Sequence, residues 1–267
     1  MAYPNDLIGS HTVRELITAF TLATPGLPLP SLAAAARDVR GGTLRARNAL
    51  LRRALLQDLP PGYAGTSAVV RAVHSSPVLF RGWMLLPVTM AVAERACDEG
   101  THAAFDDAMQ LLGELTGRFT SEFAVRPMLL HDLRRGLSIA QDWARSPDED
   151  LRRLAVTGTR PHLPCAPRVT AILSDPSSTV PILDLLCRDD LEYVRRPVAD
   201  HFADLARQDP QLALRVAMRW LSDPDDDLRR LVARGLRRLV RQGDPQAQRL
   251  SGTSRPGGIS QAWTAPR

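Results

Sequence analysis

The chain has 267 residues, enough for one or two ordinary cores or for one continuous repeat array. Aromatic residues make up 5%, β-branched runs are few, and Leu and Ala abound, which favours helix and argues against a sheet protein. The formal net charge is +5, carried by 34 basic residues that are all arginine, and such an excess suits polyanionic partners where it gathers on one surface. Arginine without lysine is also what a GC-rich coding sequence produces, so charge alone selects no partner.

In chain order, helical periodicity is expected over roughly 12–23, 31–57, 66–74, 83–98, 102–117, 121–143, 167–174, 179–187 and 210–221. The strongest internal pattern is a repeat. The run Pro147-Asp148-Glu149-Asp150-Leu151-Arg152-Arg153-Leu154-Ala155 recurs from Asp190 to Val198 and again from Pro224 to Val232. Its arginine pairs, Arg152-Arg153, Arg195-Arg196 and Arg229-Arg230, are spaced by 43 and 34 residues, a period proper to two-helix HEAT-like repeats. Ser146 is the expected helix cap of the first copy, with Pro147 at the first helical position and Glu149 completing a capping box, and Asp223 with Pro224 is expected to do the same later. After it, Leu228, Leu231, Val232, Leu236, Leu239 and Val240 mark one helical face as core.

Helix pairs of this kind cannot bury their apolar faces alone and must stack on their neighbours. The expected fold class is therefore all-α, a curved α-solenoid of HEAT-like helical repeats, forming a single domain over residues 1–250 with a disordered tail over 251–267. Cys97, Cys165 and Cys187 make no C-x-x-C pair, so neither a disulfide framework nor a zinc cluster is indicated, and a reducing cytoplasm fits. The six histidines show no metal-ligand spacing, and the expectation is no metal and no other cofactor. No basic patch followed by an apolar stretch opens the chain, and the most apolar segment, Trp83 to Ala93, is far too short to span a membrane, so neither secretion nor membrane insertion is expected.

Four blocks carry a resemblance. Leu115-Thr116-Gly117-Arg118-Phe119-Thr120-Ser121-Glu122-Phe123-Ala124-Val125-Arg126-Pro127 is similar to the pattern L-T-x-R-F-T-S/A-E-F-A-I-R-P of the AlkC-type alkylpurine DNA glycosylases. Val156-Thr157-Gly158-Thr159-Arg160-Pro161-His162-Leu163-Pro164-Cys165-Ala166 resembles that family's S-E-G-T-R-P-R-L-P-W-A, and the run from Glu192 to Ala206 resembles E-Y-V-R-R-S-V-A-N-N-L-N-D-I-A. Gly243-Asp244-Pro245-Gln246-Ala247 is similar to G-N/D-P-E-A. With weaker echoes at Leu59-Pro60 to Tyr63, Gly82-Trp83 and Pro87, the resemblance covers approximately residues 45–250. Some members carry a further immunoglobulin-like domain after the repeats, which is not expected here.

The resemblance implies DNA alkylation repair: hydrolysis of the N-glycosidic bond of alkylated purines such as 3-methyladenine, on double-stranded DNA, without a cofactor and without full flipping of the base. A monomer is expected, cytoplasmic and nucleoid-associated when bound to DNA. The resemblance assigns Glu122 and Asp204 as the catalytic carboxylates, which would stabilise oxocarbenium-like charge on the sugar. Read by themselves, Glu122 also suits a helix N-terminal dipole and Asp204 an ion pair with Arg207. Thr157, Cys165, Asp200 and His201 fall at positions that line the lesion site, and each departs from the family residue: Thr157 stands for a carboxylate, Cys165 for a Trp, and Asp200-His201 for an Asn pair. Ala203 replaces another Asn and Pro197 a Ser. His201 reads either as a proton carrier or phosphate contact or as a packing histidine, and Asp200 as a structural ion pair with Arg196.

Arg230, Arg234, Arg237 and Arg241 form a basic stripe beside the apolar face, suited either to DNA phosphates or simply to solvent. Arg126 and Arg160 sit in the family blocks as phosphate contacts or site-ordering groups, whereas Arg152 and Arg195 fit an inter-repeat ladder and Trp143 and Trp220 the core. Three functions remain open at this stage: an active alkylbase glycosylase, a catalytically degenerate DNA-binding relative, and a protein-binding helical scaffold.

Overall fold

The computed structural model describes residues 7–39 and 42–252; over these the chain is helical and contains no strand. The expected tail lies, beyond Gly252, outside the described residues. Two compact units divide the chain, an N-terminal one over Met1–Leu186 and a C-terminal one over Cys187–Arg267.

The N-terminal unit contains α1 (Ser10–Ala23), α2 (Pro30–Asp38), α3 (Leu44–Asp58), α4 (Tyr63–Ser75), α5 (Leu85–Glu99), α6 (His102–Thr116), α7 (Glu122–His131), α8 (Leu133–Trp143), α9 (Glu149–Gly158), α10 (Thr170–Ser174) and α11 (Val180–Leu186). Helices α3, α5, α7, α9 and α11 pack each on the next, and α2, α4, α6 and α8 pair as hairpins with α3, α5, α7 and α9. That alternation is the layered stacking of a helical solenoid. The apolar Trp83–Ala93 stretch supplies its hub: on α5, Leu85, Leu86, Val88, Ala91, Val92, Ala93 and Ala96 are all buried, between α3, α4, α6 and α7. No helix among the described residues is long and apolar enough to cross a membrane.

Two expected segments each divide in two. The 31–57 segment breaks between α2 and α3, where Gly42 adopts a φ of 84° that other residues rarely accept, and Thr43 then caps α3 by accepting from the Ala46 N–H. The 121–143 segment breaks at Asp132, whose carboxylate accepts from the Arg135 N–H and starts α8. The repeat caps also fall two residues later than the sequence suggests. Asp148 rather than Ser146 caps α9, accepting from the Asp150 N–H, while the Ser146 Oγ accepts from the Asp148 N–H. In both copies the capping carboxylate lies one residue after the proline, at Asp148 and Asp225, whereas Asp209 and Asp244 cap from the position before a proline.

A polar tie joins α4 to α6. The Arg71 guanidinium donates to both Asp107 carboxylate oxygens at 2.9 Å, and the Tyr63 hydroxyl donates to the same group at 2.6 Å. Arg71 holds the Asp107 carboxyl below its ordinary range, whereas burial and the hydrogen bond to Asp107 push the Tyr63 phenol up. A carboxyl depressed in the folded state stabilises the fold above its unfolded pKa of about 3.9 and loses that contribution as pH falls through the folded value. Wild-type stability should therefore decline more steeply below about pH 4 than that of Asp107→Asn, measured by urea unfolding across pH. Parallel declines would contradict the role of this tie.

The C-terminal unit contains α12 (Glu192–Gln208), α13 (Pro210–Trp220), α14 (Asp226–Arg241) and α15 (Pro245–Leu250). Asp225, not Asp223, caps α14 through the Leu228 N–H. Leu228, Leu231, Val232, Leu236 and Leu239 of α14 are buried as the periodicity predicts, while Val240 is only partly so. Helices α12 and α14 approach closely at Gly235, where an added Cβ would collide with the Phe202 ring. That ring is fully buried and lies 4.9 Å from the Trp220 ring, so it has nowhere to retreat. Gly235→Ala should therefore destabilise the protein by about 1–3 kcal/mol despite the better helix propensity of Ala, read as a lower urea midpoint at unchanged slope. A neutral or stabilising result would mean that the helices separate freely.

Candidate functional site

The first family-like block becomes the start of α7. Ser121 does not cap that helix through its side chain; its hydroxyl donates to the Leu112 carbonyl at 2.7 Å and fixes the entering chain on α6. Glu122 thus takes the first helical position, where the N-terminal dipole stabilises a negative charge. Its carboxylate is partly exposed and makes no hydrogen bond or ion pair among the described residues. The dipole reading and the chemical reading are therefore compatible: the charge is stabilised yet not consumed by a structural partner.

One turn further along α7, Arg126 is fully buried. Its Nε donates to the Pro167 carbonyl at 3.0 Å, and its Nη1 to the Gly158 carbonyl at 3.3 Å and the Arg160 carbonyl at 2.6 Å. A guanidinium in that position cannot reach a phosphate, so of the two expected roles for Arg126 the DNA contact is corrected and the ordering role fits. The contact is made possible by Gly158, the last residue of α9: the Val125 side chain of α7 lies against it, and a Cβ there would stand 3.0 Å from the Val125 Cγ1. Gly158 is a residue the sequence reading passed over. Its signal was a glycine inside the second family-like block.

The second block supplies the end of α9 and the loop that follows. Thr157 is only 5% exposed, and its hydroxyl donates to the Arg153 carbonyl at 3.1 Å, so it presents no proton to a ligand. Arg160 is partly exposed at the start of the loop. Cys165 is exposed, with φ of 63°, the only non-glycine in the left-handed region among the described residues. His162 was also missed: its Nε2 is buried without a hydrogen-bond partner, and a polar side chain between two prolines was the available signal.

In the C-terminal unit, Asp200, His201 and Asp204 sit on α12. Asp200 forms a 2.7 Å ion pair with Arg234 of α14, a partner on the neighbouring helix where the sequence points to Arg196 on its own helix. His201 is fully buried, which corrects its reading as a phosphate contact and leaves the packing role. Asp204 is partly buried. Arg195 bridges to Asp227 at 3.0 Å across two helices, and Arg152 donates to the Ser146 and Pro147 carbonyls. The basic stripe divides: Arg230 pairs with Asp227 and Arg234 with Asp200, whereas Arg237 and Arg241 are exposed and make no ion pair among the described residues.

A groove of about 990 Å³ opens between α6 and α8, lined in part by Asp106, Glu114, Asp132, Arg135 and Asp148, and it contains none of the predicted site residues. Its carboxylates already have structural tasks. Asp106 is held by both ends of the Arg135 fork, Glu114 by Arg71, and Asp132 and Asp148 cap α8 and α9. The groove assembles no acid–base pair. Among the described residues no group of three His, Cys, Asp or Glu is placed to hold a metal.

No family model matches the chain. It is 37% identical over 151 residues to "Uncharacterized protein YhaZ" of Bacillus subtilis (strain 168), a stretch covering 56% of this chain but only 42% of that protein. In structure it is similar to the Pseudomonas fluorescens alkylpurine DNA glycosylase AlkC bound to DNA containing an abasic site analog, with a TM-score of 0.80 and 27% identity, covering 94% of this chain and 68% of that one. The likeness to the AlkC-type family thus extends from the sequence blocks to the fold. The Asp200–Arg234 pair ties α12 to α14 at a position where the sequence blocks depart from the AlkC-type pattern. Both side chains are about 40% exposed, so Asp200→Asn and Arg234→Gln should show a coupling of only about 0.5–1 kcal/mol in a double-mutant cycle. Zero coupling would mean that the pair does not persist in solution.

Proposed function

We propose that this AlkC-like chain is a DNA glycosylase that hydrolyses the N-glycosidic bond of alkylated purines such as 3-methyladenine in double-stranded DNA. The observation that carries this reading is the Glu122 carboxylate, held at the positive end of α7, partly exposed and unengaged, within the block most similar to the family pattern. An N3-alkylated purine is already a cationic leaving group. Cleavage sends the bonding electron pair from C1′–N to the base, and charge develops on the sugar, where a carboxylate stabilises it. Water then adds to C1′ and loses its proton, leaving an abasic site and the free base. Asp204 is the carboxylate that the reading assigns in the C-terminal unit.

A second reading is supported by Thr157. Its buried hydroxyl, spent on the Arg153 carbonyl, leaves no charge where the family pattern has a carboxylate, so the chain would bind DNA with little or no cleavage. The two readings separate in one experiment. Single-turnover release of 3-methyladenine should be measurable for the wild type and fall by about tenfold or more in Glu122→Gln, with affinity for DNA holding an abasic analogue unchanged. Binding without release would select the DNA-binding reading, and release undiminished by Glu122→Gln would remove Glu122 from the chemistry.

The DNA contact itself is assigned to the unpaired part of the stripe. Neutralising Arg237 and Arg241 together should lower the slope of log affinity against log salt by about 2, because each lost phosphate contact releases about one counterion fewer. Arg230→Gln should change the slope less, since Arg230 is paired with Asp227. An unchanged slope in the double variant would remove α14 from the interface.

A further inference from the structure

We propose that Arg126 is a positioning residue that clamps the loop between α9 and α10 into one conformation before DNA arrives. Hydrogen bonds from its guanidinium take carbonyl oxygens from both ends of that loop: Gly158 and Arg160 where the chain leaves α9, and Pro167 where it approaches α10. The carbonyls ending a helix carry partial negative charge, so a buried guanidinium is electrostatically matched to this place. Its planar fork spans acceptors that a single ammonium cannot bridge at once. Fully buried as it is, Arg126 acts only on the protein itself.

Between the clamped ends, a turn closes through the Ala166 N–H and the Leu163 carbonyl, and Cys165 is held in left-handed backbone that an unconstrained residue of its type avoids. Pro164, Cys165, Pro167 and Arg168 are exposed on the loop surface. The clamp thus fixes an exposed element whose own sequence would not hold it. Its relevance to catalysis rests on the glycosylase reading, under which Cys165 lines the lesion site and Arg160 contacts phosphate or orders the site beside it.

The test uses the full chain, with wild type, Arg126→Lys and Arg126→Met. Amide hydrogen exchange of the 159–169 segment should be slow in the wild type and faster by about tenfold or more in both variants, while α5 keeps its protection. Lysine should fail to rescue, because charge without the fork is not the function. Single-turnover base release at saturating DNA should fall by about a hundredfold, as expected for a misplaced site, with affinity for abasic-analogue DNA within about twofold of wild type. If either variant does not fold, the wild type alone decides: a 159–169 segment exchanging as fast as an unstructured peptide overturns the clamp. Unchanged exchange in folded variants overturns it too. A wild type that releases no base would defeat the glycosylase reading, while the exchange result would still decide the clamp.

Discussion

The packing of α7 on α9 is the contact on which the candidate site depends. Two features make it. The Val125 side chain lies against Gly158, so the helices meet without an intervening Cβ, and Arg126, the next residue, then reaches the carbonyls at and beyond the end of α9. The apolar contact is non-directional and would tolerate rotation, whereas hydrogen bonds to three fixed carbonyls do not. Burying a guanidinium is costly, and here Nε and Nη1 are hydrogen-bonded while Nη2 is buried without a hydrogen-bond partner among the described residues, so the buried charge makes the arrangement specific rather than simply more stable. Glu122, Arg126, Gly158 and Arg160 become one construction, in which a catalytic candidate and an exposed loop are held by the same helix.

The C-terminal unit solves a similar problem with different means. There α12 and α14 meet through Gly235 and Phe202, and the rims are tied by the Arg195–Asp227 and Arg234–Asp200 pairs. These exposed pairs contribute little energy each. They do decide which arginines are available: the same stripe that looks uniform by spacing contains two engaged side chains and two available ones.

Much of the fold was legible because helical periodicity and repeat spacing are local signals. The core face of α14 and the helix expected over 83–98 follow from such patterns. Helix ends were less legible: Ser146 and Asp148 are both good caps, and a residue before a proline caps elsewhere in this chain, at Asp209 and Asp244, so the pattern does not choose between them. The site was legible in its residue types and much less in their roles. A sequence cannot show that Arg126 faces carbonyl oxygens, because the Gly158, Arg160 and Pro167 acceptors are backbone groups carried by every residue. Nor can it show that the Thr157 hydroxyl is spent on its own helix or that Asp200 finds a partner 34 residues away. Partners distant in sequence, and main-chain partners generally, leave no pattern in side-chain spacing.

Under the glycosylase reading, the loop fastened by Arg126 faces the lesion in DNA. Cys165 offers a direct probe, being exposed, whereas Cys187 is buried and burial pushes the half-buried Cys97 thiol up to about 11. A short photocrosslinker attached at Cys165 and irradiated with duplex DNA carrying one abasic analogue should yield crosslinks at that nucleotide or its immediate neighbours. Crosslinks spread evenly along the duplex, or none in a complex that forms, would contradict the account.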